Sequence, residues 1–266
     1  MAVLQQSVDP GSFAEALRRF RAARRMTQLD LALACDVSAR HLSFLETGRA
    51  HPSREMVLKL AAGLLAPLSV SNGLLHAAGF TPAFPTSALG SEALEPLRAI
   101  LTEMMARHAP NPALLLDRRW TVLDANPAAR ALLAGLGHDL DQANMVRMLI
   151  DSPSAPLVIG NYAEVLSELS TRMHLEALEM GDDPVLAPLL IALDEACARH
   201  PHLDPTEPRR PLVPIVLNGP GGPLRFLSAI VHFAGSEDVT VRDLRLELMF
   251  PIDDHTRAAM AAGFGT

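Results

Sequence analysis

The stretch Thr27–Gly48, TQLDLALACDVSARHLSFLETG, constrains the fold more than any other part of the chain. It reads as two short helices joined by a tight turn. Thr27 and Asp30 form a Thr-x-x-Asp box, in which cap and third-residue side chains satisfy the free N–H groups that open a helix. Leu29, Leu31, Ala32 and Ala34 are expected to form the buried face of the first helix, with Cys35-Asp36-Val37 as the turn. Ser38 stands where it would cap a second helix whose inward side is Leu42 and Leu45. Gly48 falls where that helix needs a left-handed C-terminal residue. Two helices this short cannot bury a core alone, so their outer face is expected to touch something.

The flanking sequence supplies the missing core. Ser12-x-x-Glu15 is a capping box, and Phe13, Leu17 and Phe20 follow at helical spacing, with Arg18, Arg19, Arg24 and Arg25 outside. Ser53 caps a fourth helix running to about Leu65, with Met56, Val57, Leu60 and Leu64 inward. After Pro67, the residues Val70, Leu74, Leu75 and Ala78 mark a fifth helix ended by Gly79. Five helices in so few residues make a small all-helical domain, residues 1–80. TPAFPTSALGS, residues 81–91, reads as a linker, and a second domain is expected over residues 92–266.

Charge divides at the same place. Residues 1–80 hold nine Lys or Arg against six Asp or Glu, a balance of +3, whereas the remainder is −10. A basic module that meets phosphate, joined to an acidic one that stays off it, has this asymmetry. Cys35 and Cys197 are the only cysteines. With no disulfide framework, no secretory signal and no run of about 20 apolar residues, a cytoplasmic, non-membrane protein is expected.

The second domain mixes periods. A helix is expected from Glu92 to about His108, bearing Leu94, Leu97, Ile100, Leu101 and Met104. Ala113–Asp117 and Trp120–Asp124 flank Arg118-Arg119 as a hairpin, and Asn126-Pro127 starts a helix over Ala128–Leu136. Longer helices are expected over about Tyr162–Met180 and Pro184–His200. Alternation then resumes at Val213, Ile215 and Leu217, and at Leu224, Phe226, Ser228 and Ile230 beyond the turn Asn218–Gly222. A last strand puts Leu244, Leu246, Leu248 and Phe250 on a buried face, with Arg245, Glu247 and Met249 opposite. The fold class is therefore α+β, an all-helical domain followed by one with a five-stranded antiparallel sheet.

Thr27-Gln28, Ala32, Val37-Ser38 and Leu42…Leu45-Glu46-x-Gly48-Arg49…Pro52-Ser53 resemble the helix-turn-helix of the xenobiotic-response-element/phage-repressor-type DNA-binding regulators. The resemblance implies that the second helix lies in the major groove of operator DNA. Ala39, Arg40 and Phe44 would then face bases, with His41 and Ser43 beside them, and Arg40 would read a guanine. Gln28, Ser38, Thr47, Arg49 and Arg54 would meet phosphates. Glu46 is assigned to architecture instead, paired with Arg21. The order hairpin, helices, three-stranded meander, with Leu114–Trp120, Asp124–Ala129 and Asn144-x-x-Arg147, resembles the MmyB-like transcription regulators. That implies a PAS-like C-terminal module with fatty acids as the ligand class.

An apolar cavity between sheet and helices is expected to be lined by Leu116, Trp120, Val122, Met145, Met148, Leu149, Leu166, Leu169 and Phe226. Trp120, Arg147, Tyr162, Arg172 and Phe226 are the candidate ligand residues, one arginine being able to hold a carboxylate by a bidentate pair. Of ten histidines only His200-x-His202 is closely spaced, in a proline-rich loop, so no metal site is expected. Gly219–Gly222 leads into a strand and reads as a hairpin turn, not a phosphate cradle. No catalytic set assembles and no cofactor is called for beyond a bound fatty acid or other apolar molecule. The expectation is a homodimeric, sequence-specific transcription regulator whose candidate partners are operator DNA, its own copy and RNA polymerase. The alternative is a regulator whose second domain serves dimerisation or protein contact without a ligand.

Overall fold

The computed structural model describes residues 12–134, 143–180, 183, 185–201, 212–219, 221–233 and 235–263. Their helices and strands divide between two compact units, one built mainly on the chain up to Thr86, the other beginning at Ser87.

The first unit has five helices: α1 (Phe13–Ala23), α2 (Gln28–Ala34), α3 (Ala39–Glu46), α4 (Arg54–Gly63) and α5 (Leu68–Ala77). Ser12, Thr27, Ser38 and Ser53 each accept a hydrogen bond from the third residue of the helix they open. Each of the five helices is followed by a residue of positive φ: Arg25, Asp36, Gly48, Leu65 and Gly79. At each stop the next N–H reaches back into the last turn, as Val37 N does to Ala32 O at 2.9 Å and Arg49 N to Phe44 O at 2.9 Å. Leu17, Leu31, Leu42, Leu45, Val57, Leu60, Leu74 and Leu75 are fully enclosed.

The buried face of α2 is not the expected one. Leu31, Ala32 and Cys35 point inward, whereas Leu29 is 58% exposed and Ala34 is exposed too. A helix advances 100° per residue, so positions i, i+1 and i+4 share a face while Leu29 lies two residues, or some 200°, from Leu31. Where α2 meets α4, a Cβ on Gly63 would run into Cys35 Sγ, so the approach requires glycine. Burial pushes the Cys35 thiol up.

The second unit begins with α6 (Glu95–His108), β1 (Ala113–Leu116), β2 (Val122–Ala125) and α7 (Pro127–Leu133). Next come α8 (Met145–Asp151), α9 (Ala155–Val158), α10 (Tyr162–Met180) and α11 (Leu186–Arg199), of which residues 174–187 cluster with the first unit. β3 (Ile215–Gly219), β4 (Gly222–His232), α12 (Val239–Asp243), β5 (Arg245–Pro251) and α13 (Asp254–Ala261) complete it. The strands form one antiparallel sheet in the order β2-β1-β5-β4-β3, so the early hairpin joins the late meander through β1 and β5. Outer strand β3 is covered in part by the chain around Gly160, whose N–H donates to Val216 O at 2.7 Å.

The central strand corrects the one-sided expectation. Leu244 and Leu246 pack with Leu101 and Met105 of α6, but Arg245, Glu247 and Met249 are also buried, and Phe250 is 43% exposed. β5 has strands on both sides and packed side chains on both faces, so its alternation separates two interiors rather than core from solvent. Helices α9, α12 and α13 are additions to the expected elements; α9 and α12, of four and five residues, are too short to show a period. The hairpin at Gly219 and Gly222 is present; Pro220 between them lies outside the described residues, as does His202.

α13 carries a pH signature. Asp253 Oδ1 accepts from Thr256 N at 2.7 Å and Oδ2 lies 3.2 Å from Arg225 Nη1. Chiefly through the Thr256 N–H, these contacts hold the Asp253 carboxyl at about 2, below its ordinary 3.8. The unfolded chain therefore takes up this proton first, and the carboxylate's contribution is lost as pH falls through that window. Urea stability of wild type and Asp253→Asn should converge between pH 4 and pH 2, with the wild type the more stable above it.

Candidate DNA-binding face and ligand cavity

α3 is held in place from behind. Glu46, 1% exposed, accepts from Arg21 Nε at 2.6 Å and Nη2 at 2.9 Å, and from Gln28 Nε2 at 2.7 Å. Arg21 Nη1 donates to Met26 O at 2.8 Å, binding the end of α1 into the same cluster. This is the Arg21–Glu46 pairing expected from sequence, with Gln28 added. The bond from Glu46 raises the pKa of Arg21 further.

The opposite face of α3 is open. Ala39 and Arg40 are exposed, His41, Ser43 and Phe44 half-buried, and Thr47 and Arg49 exposed just beyond. The Arg40 guanidinium carbon lies 5.4 Å from the centre of the Phe44 ring, one turn on, a stacking that narrows where the cation points. Ser38 Oγ accepts from His41 N at 3.1 Å, and Thr47 Oγ1 donates to Ser43 O at 2.8 Å, so both hydroxyls finish the helix ends. Gln28 spends one amide hydrogen on Glu46. Arg54 donates to the carbonyls of Thr81 and Pro82, fastening the chain after α5.

The second unit encloses a cavity of about 90 Å³, several water-sized volumes. Leu114, Leu132, Leu133, Met145, Leu149, Val165, Leu169, Ile215, Leu217 and Met249 make most of its wall apolar, and Glu168, Arg172 and Glu247 give it a polar end. Trp120, Met145, Leu149 and Leu169 line it as expected from sequence. Leu116, Val122, Met148, Leu166 and Phe226 do not; they are buried in the packing around it.

Of the candidate ligand residues, the cavity takes Trp120 and Arg172. Arg147 lies on an exposed face beside Asp151, at 3.6 Å, because α8 turns it away from its buried neighbours Val146 and Met148. Tyr162 donates its hydroxyl to Leu149 O at 2.8 Å and braces the wall without forming it. Glu247 and Glu168 were missed. Glu247 was read as the outer face of a strand, and only its position beside Arg245 in an otherwise apolar run hinted at burial.

Trp120 has φ +66, a left-handed backbone that a bulky side chain rarely adopts. Asp117 holds it there: its Oδ1 accepts from Arg119 N and Thr121 N, both at 2.8 Å. Two guanidinium groups then approach the indole, Arg172 at 4.6 Å and Arg245 at 5.3 Å from the ring centre. Strain of this kind, of order 1–3 kcal/mol, collects at functional sites.

No grouping of His, Cys, Asp and Glu suited to a metal occurs among the described residues. No helix among them is long and apolar enough to cross a membrane. A search of curated proteins found no match to the chain. A helix-turn-helix family model matches residues 17–69, spanning α2 and α3, which makes the first unit a DNA-binding domain. The model of the MmyB-like transcription regulator ligand binding domain matches residues 97–262, the span that holds the sheet and its cavity. That second match covers more than half of the 266 residues, and the chain belongs to the MmyB-like transcription regulators.

Proposed function

We propose that this regulator binds a specific operator as a homodimer, reading bases with Arg40 on α3, and that its cavity takes an apolar small molecule such as a fatty acid. The observation that carries the DNA half is the outward row Ala39, Arg40 and Phe44 on a helix whose inner side is pinned by Glu46. A single helix-turn-helix reaches few base edges, and two copies on half-sites about one helical turn apart supply the discrimination. The arginine fork matches O6 and N7 of a guanine together. Ser38, Arg49 and the remaining amide hydrogen of Gln28 serve phosphates, whereas Thr47 spends its one hydroxyl hydrogen on Ser43 O. The apolar wall and strained Trp120 support the ligand half. A ligand that prefers one arrangement of the dimer shifts its affinity for the operator.

Gel-shift titration at matched salt, on a site selected by the wild type from random duplexes, tests the first half. Arg40→Ala should weaken that site about 5- to 150-fold, the range for one bidentate base contact, with little change on unrelated DNA. Equal loss on all duplexes would reassign Arg40 to the phosphate backbone. Native mass spectrometry of the purified protein tests dimerisation and retained lipid together.

A further inference from the structure

The polar end of the cavity has an unbalanced acceptor. Glu247 is 6% exposed and lines the cavity, yet no hydrogen bond or ion pair to its carboxylate occurs among the described residues. Its partners across the sheet are apolar, Leu114 on β1 and Ile230 on β4. Of its neighbours two along on the same face, Met249 is apolar and Arg245 is stacked toward Trp120. Arg172 is turned to the same indole and lies 3.9 Å from Glu168. Its Nε is buried and donates to nothing. The cavity wall thus holds two carboxylates against one guanidinium, one unmet acceptor and one unmet donor.

A carboxylate that opens onto a mostly apolar cavity without a protein donor is unfavourable there unless a water or a ligand completes it. An ionised fatty acid would not complete it, because a second negative charge would enter the same water-poor space. A head group carrying one hydrogen and one free lone pair would meet both orphans at once. Resting on the reading of the cavity as a ligand site, we propose that it selects an amphiphile with an uncharged, hydrogen-donating head. Glu247 accepts the head's O–H, Arg172 Nε donates to its oxygen, and ionised carboxylates are disfavoured. A hydroxyl and an un-ionised carboxyl share this chemistry.

Trp120 is the sole tryptophan and lines the cavity, so its fluorescence reports occupancy in the full-length protein. The probes are 1-octanol and octanoate. At pH 8 the wild type should bind 1-octanol at least tenfold more tightly than octanoate. Glu247→Gln, with circular dichroism confirming its fold, should close that gap by admitting octanoate. Octanoic acid binding that strengthens toward pH 5, with octanol level, identifies the un-ionised carboxyl as an accepted head; octanoate that stays weak at both values identifies the hydroxyl. Octanoate as tight as octanol in the wild type at pH 8 overturns the inference and leaves the cavity reading standing, as does a Glu247→Gln ratio equal to that of the wild type. Silence from both probes overturns the cavity reading and the inference with it.

Discussion

Replacing Glu46 by alanine should cost about 3–5 kcal/mol, the range for removing one partner of a buried ion pair. The carboxylate takes three donors from two other helices and its side chain is wholly enclosed. Without it the Arg21 guanidinium keeps its charge and its bond to Met26 O, and the Gln28 amide loses its acceptor. A small domain is stable by only about 5–15 kcal/mol, so a loss of this size unfolds a measurable fraction at room temperature. Far-UV circular dichroism in urea should show α1–α5 melting early. Operator binding should fall with the folded fraction rather than through any lost contact, since Glu46 is buried, away from the exposed Ala39 and Arg40. Arg21→Met combined with Glu46→Leu should recover most of the loss, because an apolar pair of similar volume leaves no orphan charge. A single Glu46→Ala variant within 1 kcal/mol of wild type would show that the cluster is not what fixes α3.

How much of this was readable from sequence depends on what each element spends its residues on. The first unit was readable because its helix starts are local chemistry: a Ser or Thr and the N–H three residues on. Its helix stops were only partly so. Gly48 and Gly79 announce themselves, whereas Arg25, Asp36 and Leu65 adopt the same left-handed turn with side chains that disfavour it, and only tertiary packing enforces that. Leu29 and Ala34, apolar yet exposed on α2, misdirect the reading of its inner face.

In the second unit the hairpin and the meander are legible in the strand pattern, but their junction through β1 and β5 and the burial are not. Alternation along β5 reports that two faces differ, not which of them is wet. The strand is enclosed on both sides: Glu247 lines the cavity, and Arg245 is buried beside Trp120. The polar end of the site was therefore misread as surface. Trp120 was found because a lone tryptophan invites attention. Its left-handed backbone, which depends on the Asp117 carboxylate three residues earlier, had no separate signature.

The cavity wall depends on one amide, and Asn126→Ala should be the most damaging single change in the second unit. Asn126 is 5% exposed. Its Oδ1 accepts from Ala113 N at 3.0 Å and Ala129 N at 2.9 Å, joining the start of β1 to the cap of α7. Its Nδ2 donates to Asn111 O at 2.9 Å and Met105 O at 3.3 Å, adding the end of α6. Alanine removes a helix cap worth about 1 kcal/mol and strands buried backbone groups at about 1–3 kcal/mol each. A total near 3–5 kcal/mol is expected, read from urea unfolding followed by Trp120 fluorescence. Asn126→Ser should return only the cap contribution, about 1 kcal/mol, since its hydroxyl reaches Ala129 N but not the carbonyls. Because α7 carries Leu132 and Leu133 into the cavity wall, octanol binding should weaken in both variants before global unfolding sets in. Loss of stability without that earlier loss of binding would mean that α7 is positioned by its apolar face alone, and Asn126 merely ties it down.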